Sequence, residues 1–310
     1  IIYHRLINFL QRNAIISQTH HGFVPNRNTE TALFNFMDSL LNSLDDHQKC
    51  AGVYFDLSKA FDTIKHDILL NKIEKYGLRG QVNKLIASYL TGRTQRVYVT
   101  TTINNILTTK KSYISHIMQG VPQGSILGPI LFLLYVNDLH EHVDIKHVYQ
   151  FADDTSCMVC SHSLNMLSEN IVTVINKMIT YCKQNCLKLN VDKTGLLFFK
   201  NFENIFINHM QIQQSSEIKF LGIVIDYKLQ FSEHIKNIIS KINTACYVVR
   251  VLKEELPIAS LMQFYYAYVQ SIISYGIVFW YISSEWNKVF ITQKRFLRII
   301  LDLPSKESCR

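Results

Sequence analysis

The sequence predicts an α+β fold in which strands and helices mix without a regular βαβ rhythm and give way to an all-helical C-terminal lobe. Three observations lead there. Short apolar, β-rich runs recur at Cys50–Phe55, around Val148-Tyr149, at Gly195–Phe199 and at Ile218–Ile225. Longer stretches between them carry the 3.6-residue period of amphipathic helices, and from Ser232 onward that pattern is unbroken and rich in Tyr and Ile. No Pro/Ser-rich linker, internal repeat or low-complexity segment divides the chain.

Residues 1 to 18 are expected to form an amphipathic helix, with apolar positions at Ile2-Tyr3, Leu6-Ile7 and Leu10. A loop runs from His21 to Asn28. Thr29 is then expected to cap a helix through about Leu44, whose stripe is Leu33, Phe36-Met37, Leu40-Leu41 and Leu44. Cys50 to Phe55 reads as a buried strand ending at Asp56. Two short helices fill Lys65 to Leu90, broken at Gly77 and Gly80. Val, Thr and Tyr make Arg96–Thr102 and Ile106–Ile117 β-rich. Gly120 to Ser125 forms a tight loop before a helix with Pro129 in its first turn and its end near Asp138. A strand–turn–strand tip at Phe151-Ala152-Asp153-Asp154 follows, then a long helix from about Leu164 to Asn185 and two strands, Gly195–Phe199 and Ile218–Ile225.

The 310 residues suffice for one large domain or two to three lobes. With 48% hydrophobic and 18% charged residues the chain is globular, not disordered. The longest apolar run, Ile130 to Val136, is too short to span a membrane, and no membrane partner is expected. The chain starts at Ile1 inside a helical pattern, without a secretory signal, and so reads as a piece of something longer. Seven cysteines scattered through apolar segments suit free thiols in a reducing, intracellular compartment. Cys157-x-x-Cys160 and Cys182-x-x-x-Cys186 are not read as a zinc site, because strand spacing points Cys157 and Cys160 to opposite faces.

The formal charge is +8, and residues 57 to 116 alone hold ten Lys/Arg against Asp62, Asp67 and Glu74. Lys288, Lys294, Arg295 and Arg298 add a second basic stretch. Basic flanks suit a polyanion, although a merely solvated surface has the same composition. Asp153 and Asp154 supply the opposite charge. Adjacent ionised carboxylates among Val148, Tyr149, Phe151, Met158 and Val159 would repel and be poorly solvated, so they call for a cation, and hard Mg²⁺ suits carboxylate oxygens. Asp56 closes a similar apolar run. Three carboxylates at the ends of adjacent strands can hold two Mg²⁺ ions for in-line phosphoryl or nucleotidyl transfer. If the strands are not neighbours, the pieces are a polar hairpin tip and an unrelated strand-end Asp.

Taken together, Phe55-Asp56-Leu57-Ser58-Lys59-Ala60-Phe61-Asp62, Gln119-Gly120-Val121-Pro122-Gln123-Gly124-Ser125 and Phe151-Ala152-Asp153-Asp154 resemble motifs A, B and C of reverse transcriptases. The likeness is nearest to non-LTR (LINE-type, jockey-like) retrotransposons. Leu187 to Thr194 is similar to motif D, Phe220 to Asp226 to motif E, and His21 to Arg27 to the finger motif before A. Ordered motifs across nearly the whole chain make the resemblance specific where each alone is weak.

The resemblance implies a right-hand polymerase with an antiparallel palm. Residues 1–49 and 66–111 would be fingers, 50–65 and 112–229 palm, and 230–310 a helical thumb. Asp56, Asp153 and Asp154, with the Leu57 carbonyl, would bind two Mg²⁺ ions (or Mn²⁺ in their place), and Lys193 would be the pyrophosphate-side cation and general acid. Arg27, Phe61, Gln123 and Gly124 would contact the incoming dNTP, Phe61 as a steric gate against the 2′-hydroxyl. Where the family often has a further basic residue, this chain has Val24. Asp62 is expected to pair locally rather than bind metal. Phe220, Leu221 and Gly222 would form a primer grip. The implied partners are an RNA template, a DNA primer or target DNA, dNTPs, and an endonuclease elsewhere in the polyprotein. The rivals are a non-catalytic nucleic-acid-binding remnant and a group II intron maturase, whose basic or nuclease extension is not visible in this sequence.

Overall fold

The computed structural model describes residues 1–103, 106–190, 193–200 and 213–304. In chain order come α1 (Ile2–Arg12), α2 (Thr29–Asp45), β1 (Lys49–Phe55), the single turn α3 (Ala60–Thr63), α4 (His66–Lys75) and α5 (Gln81–Leu90). Next are β2 (Thr94–Gln95), β3 (Tyr98–Ile103), β4 (Ile106–Lys111) and β5 (Ser115–His116), then α6 (Gly128–Tyr135) and α7 (Leu139–Val143). They lead to β6 (His147–Phe151), β7 (Asp154–Ser161), α8 (Leu164–Gln184), β8 (Gly195–Phe198), β9 (Gln213–Gln214), β10 (Glu217–Phe220) and β11 (Ile223–Asp226). Beyond Asp226 the described residues are helical: α9 (Ser232–Leu252), α10 (Ile258–Phe264), a π-helical stretch Tyr265–Gln270, α11 (Ser271–Ser274), α12 (Ile277–Trp280) and α13 (Trp286–Leu301).

The principal sheet has the order β6-β7-β1-β8-β9, with β1 antiparallel to both of its neighbours. Its period-2 alternation divides the interior into two cores. Ala51, Val53, Phe55, Val148, Cys157, Leu196 and Phe198 face one of them, which is covered by α1, α4, α6 and α8. Cys50, Tyr54, Tyr149, Met158, Leu197 and Phe199 face the other, covered by α2 and the C-terminal helices. Both faces are therefore buried, and this is why the strands read as continuous apolar runs. Phe36 of α2 is the hub of the second core, with ring centroids 5.5 Å from Tyr149, 5.9 Å from Tyr54 and 5.2 Å from Phe220. Cys157 and Cys160 do lie on opposite faces: one belongs to the first core, and the other packs against the second.

Four expectations need correction. The first helix stops at Arg12, not at residue 18. The Asn13 side chain donates to the Phe9 carbonyl (2.8 Å), Ala14 turns left-handed (φ 49°), and the chain then docks on Asn137, whose Oδ1 accepts from the Ser17 N–H at 2.9 Å. The cap of α2 is Asn28, not Thr29. Asn28 Oδ1 accepts from the Thr31 N–H (2.8 Å), and Thr31 Oγ1 accepts from the Asn28 N–H (3.0 Å). Ile218–Ile225 is a hairpin rather than one strand, because Leu221 (φ 45°) and Gly222 (φ 88°) reverse the chain between β10 and β11. The helix ending near Asp138 is also shorter than expected, with α7 as a separate turn after it.

Candidate active site

β1 stays apolar while it is covered on both faces, and Asp56 is the first residue past that cover. Phe55 pairs with Thr155 in the antiparallel register, so one step further Asp56 comes level with Asp154. The β6–β7 hairpin closes at the pair Phe151–Asp154, leaving Ala152 and Asp153 as a two-residue tip. Ala152 is left-handed (φ 55°), a costly conformation without glycine, and the loop between α1 and α2 braces it. Gln150 donates its N–H to the Thr19 carbonyl (2.9 Å) and accepts from the His21 N–H (2.7 Å). Gly22 then passes so close that a Cβ there would lie 2.5 Å from the Ala152 nitrogen.

On the other side of Asp56 the motif-D segment is laid antiparallel. The Ser58 N–H donates to the Lys188 carbonyl (2.8 Å), the Asn190 N–H donates to the Asp56 carbonyl (2.8 Å), and Leu57 bridges Leu189. In such a pair the Leu57 carbonyl faces away from Leu189, toward the side where β7 begins. Asn190 Nδ2 also donates to Asp56 Oδ2 (2.9 Å), and Lys193 Nζ stands 3.7 Å from that oxygen. Val191 and Asp192 of this motif lie outside the described residues, as do 104–105, 201–212 and 305–310 of the expected lobes.

Desolvation pushes the Asp154 carboxyl above its ordinary range, the charges of Asp153 and Asp56 push it further, and Lys193 opposes them. The three acids therefore feel one another. They form an open cluster: among the described residues no three His, Cys, Asp or Glu side chains are drawn together tightly enough to enclose an ion. Carboxylates whose charges push up the Asp154 carboxyl fit a hard divalent cation, which would relieve that repulsion.

The motif-B loop hangs on motif A. The Gly120 N–H donates to the Ile64 carbonyl (2.7 Å) and the Val121 N–H to the Phe61 carbonyl (2.9 Å). Gly120 has φ 85°, and a Cβ on it would lie 2.9 Å from the Asp62 backbone. Gln123 Nε2 donates to Asp62 Oδ1 (2.8 Å), so Asp62 is indeed engaged locally. Gly124 (φ 79°) has open space around it. Phe61 is half-buried, its ring 4.6 Å from that of the core residue Phe132 and edge-on to the more exposed Phe23 at 6.2 Å.

Arg27 is not extended toward the acids. Its guanidinium donates to the carbonyls of Gln18 (3.1 Å) and His20 and to the Gln18 side chain, stapling the finger loop. Phe220 is buried against Phe36 and Tyr54, so of the three expected grip residues only Leu221 and Gly222 reach the surface. The Tyr275 hydroxyl donates to the Leu221 carbonyl and fixes that turn to the C-terminal helices. Lys72 is not a surface cation either: it is buried on Asp138 (2.7 Å), beside Tyr135 and Tyr181. Lys294 sits over the Phe290 ring (4.2 Å), and Phe296 and Ile300 are core.

Two positioning residues escaped the reading of the sequence. Asn190 was legible only as part of a motif, and nothing local marks Gly22 as the neighbour of a turn 130 residues away.

A family profile described as "Reverse transcriptase (RNA-dependent DNA polymerase)" matches residues 1–225. Among curated proteins, the chain is 27% identical to the probable RNA-directed DNA polymerase from transposon BS of Drosophila melanogaster, over 98% of this chain and 34% of that protein. It is 26% identical to the RNA-directed DNA polymerase from mobile element jockey of the same fly, with the same coverage. It thus spans about a third of the length of these relatives. Among solved structures, apo telomerase of Candida tropicalis truncated from its C-terminal domain superposes with a TM-score of 0.50 at 13% identity. That match covers 73% of this chain and 42% of that one, and it bears on the fold alone. The profile covers well over half of the chain and includes the acids, the motif-B loop and the segment holding Asp56, so this chain belongs to the reverse transcriptase (RNA-dependent DNA polymerase) family.

Proposed function

We propose that the chain is the RNA-directed DNA polymerase core of a non-LTR retrotransposon, joining dNTPs to a primer 3′-hydroxyl. The observation that carries this is the register bringing Asp56 level with Asp154, beside Asp153. Asp56, Asp153, Asp154 and the Leu57 carbonyl would hold two Mg²⁺ ions, with Mn²⁺ as a substitute. When bound, the ions activate the attacking hydroxyl and neutralise the leaving pyrophosphate.

The rest falls to the chain's own groups. Asn190 orients the Asp56 carboxylate from 2.9 Å. Lys193, 3.7 Å from the same oxygen, is placed to shift onto a phosphate and to donate its proton to the departing pyrophosphate. Phe61, backed by Phe132, would lie beneath the sugar and exclude a 2′-hydroxyl by bulk. Gln123 and Gly124 would border the nucleotide, and the open space at Gly124 lets the backbone come close. Arg27 reaches a triphosphate only by leaving its carbonyl partners, so its first role is to hold the finger loop. The primer 3′ end would rest on the Leu221-Gly222 turn.

We assign residues 1–49 and 66–111 to fingers, 50–65 and 112–229 to palm, and 230–310 to thumb. The partners are an RNA template, a DNA primer or target DNA and dNTPs, with an endonuclease expected elsewhere in the polyprotein. The open form of the acid cluster favours one alternative, a nucleic-acid-binding remnant without catalysis. Primer extension on poly(rA)/oligo(dT) separates the two. Synthesis that needs Mg²⁺ and is lost in Asp153→Ala supports the polymerase, whereas template binding without synthesis supports the remnant.

A further inference from the structure

At the ends of β1 and β7 remote from the acids, Cys50 and Cys160 are direct cross-strand partners. Residues so paired have Cα atoms about 4.5–5.5 Å apart, within the span that a disulfide bridges. Both cysteines are free thiols, and the Cys50 Sγ donates to the Gln48 carbonyl (3.7 Å). Cys50 is fully buried, whereas Cys160 is half-buried and lines a cavity of about 640 Å³ between α2, α8 and the β6–β7 hairpin. Asn42, Asp46 and Asn170 on its rim are exposed, so a small polar molecule reaches the thiol from solvent.

The surroundings of the pair are asymmetric. The neighbouring Cys50 brings the Cys160 thiol below the ordinary range; burial opposes this, while the Ser43 side chain and the charge of Lys146 assist. Cys50, by contrast, is pushed up by its neighbour Cys160 and by burial. One sulfur is thus the more acidic and the more reachable, and the other is protonated, hidden and directly across the strand pair from it. Neither takes part in the chemistry assigned to the acids.

We propose that Cys160 is a site of oxidation by hydroperoxides and that Cys50 resolves it as a cross-strand disulfide. The Cys160 thiolate attacks one peroxide oxygen, the O–O bond breaks, and hydroxide leaves (water, once protonated), giving the sulfenic acid. The Cys50 sulfur then attacks the Cys160 sulfur, the S–O bond breaks, and water leaves with the Cys50 proton. The peroxide is reduced and the two thiols are oxidised to one disulfide. The bond ties β1 to β7, the two strands that carry the acids.

The test is hydrogen peroxide treatment of the full chain at pH 7, followed by alkylation of the remaining thiols, digestion and mass analysis. The expected product is a Cys50–Cys160 peptide pair two hydrogens lighter than its parts and restored by a thiol reductant. In Cys50→Ser the sulfenic acid at Cys160 should persist and be trapped by dimedone. A disulfide among other cysteines, or peroxide treatment after which both thiols are still alkylated once the chain is unfolded in denaturant, overturns the proposal. The wild-type measurement decides even if the variant does not fold.

Discussion

An alanine at Gly120 would set its Cβ 2.9 Å from both the Cα and the carbonyl oxygen of Asp62, and 3.1 Å from the carbonyl carbon. These are backbone atoms, so no flexible side chain can give way. The left-handed φ of 85° adds about 1–2 kcal/mol for any residue with a Cβ. If the loop retreats instead, it gives up the Gly120–Ile64 and Val121–Phe61 hydrogen bonds, about 1 kcal/mol each. Gly120→Ala should therefore lose about 3–4 kcal/mol. Gly124→Ala is the control: its φ is 79° but nothing lies within 4 Å, so only the conformational cost of about 1–2 kcal/mol applies. Urea unfolding of both variants measures the difference, and primer extension by Gly120→Ala should show a raised KM for dNTP, because Phe61 and Gln123 are held through that contact. Equal losses in the two variants would refute the steric argument.

Other outcomes follow from the same geometry. Asn190→Ala removes a hydrogen bond to a partly exposed carboxylate and should slow primer extension about tenfold, or 1.4 kcal/mol; an unaltered rate removes Asn190 from the site. Phe61→Ala should raise ribonucleotide incorporation in a dNTP/rNTP competition, and unchanged discrimination would exclude the gate. Burial lowers His20 to about 3 and His21 and His234 to about 4, so these imidazoles are neutral in the fold. The unfolded chain then takes up protons first as pH falls through about 6.5, and stability, level above that pH, should drop below it by about 1.4 kcal/mol per pH unit per histidine until the folded values are reached. His20→Gln should make this slope shallower in urea titrations between pH 6 and 4.5, and an unchanged slope contradicts the assignment.

Much of this was legible in the sequence because it was written in local chemistry. The doubly covered sheet shows as unbroken apolar runs, and Asp56, Asp153 and Asp154 show as acids where those runs stop. Helices with a clear stripe, such as α2 and α8, fell within a residue or two of their expected ends. What failed depended on distant partners. Helix α1 ends early because Asn137 takes hold of the chain after it, and no pattern in residues 13–18 announces that. Ile218–Ile225 has the composition of one strand, and only the left-handed pair Leu221-Gly222 turns it into a hairpin. The carbonyls of Gln18 and His20 that hold the Arg27 guanidinium are likewise announced by nothing in its motif. Lys72 counted toward a basic surface but is spent on Asp138.

The account rests on Asp56, Asp153 and Asp154 acting as one cation site. Electron paramagnetic resonance of Mn²⁺ titrated into the chain with primer–template and a non-hydrolysable dNTP tests this most directly. Wild type should take Mn²⁺ out of free solution, while Asp56→Asn and Asp153→Asn, still folded by circular dichroism, should leave most of it free. Equal uptake by all three proteins would contradict a shared site.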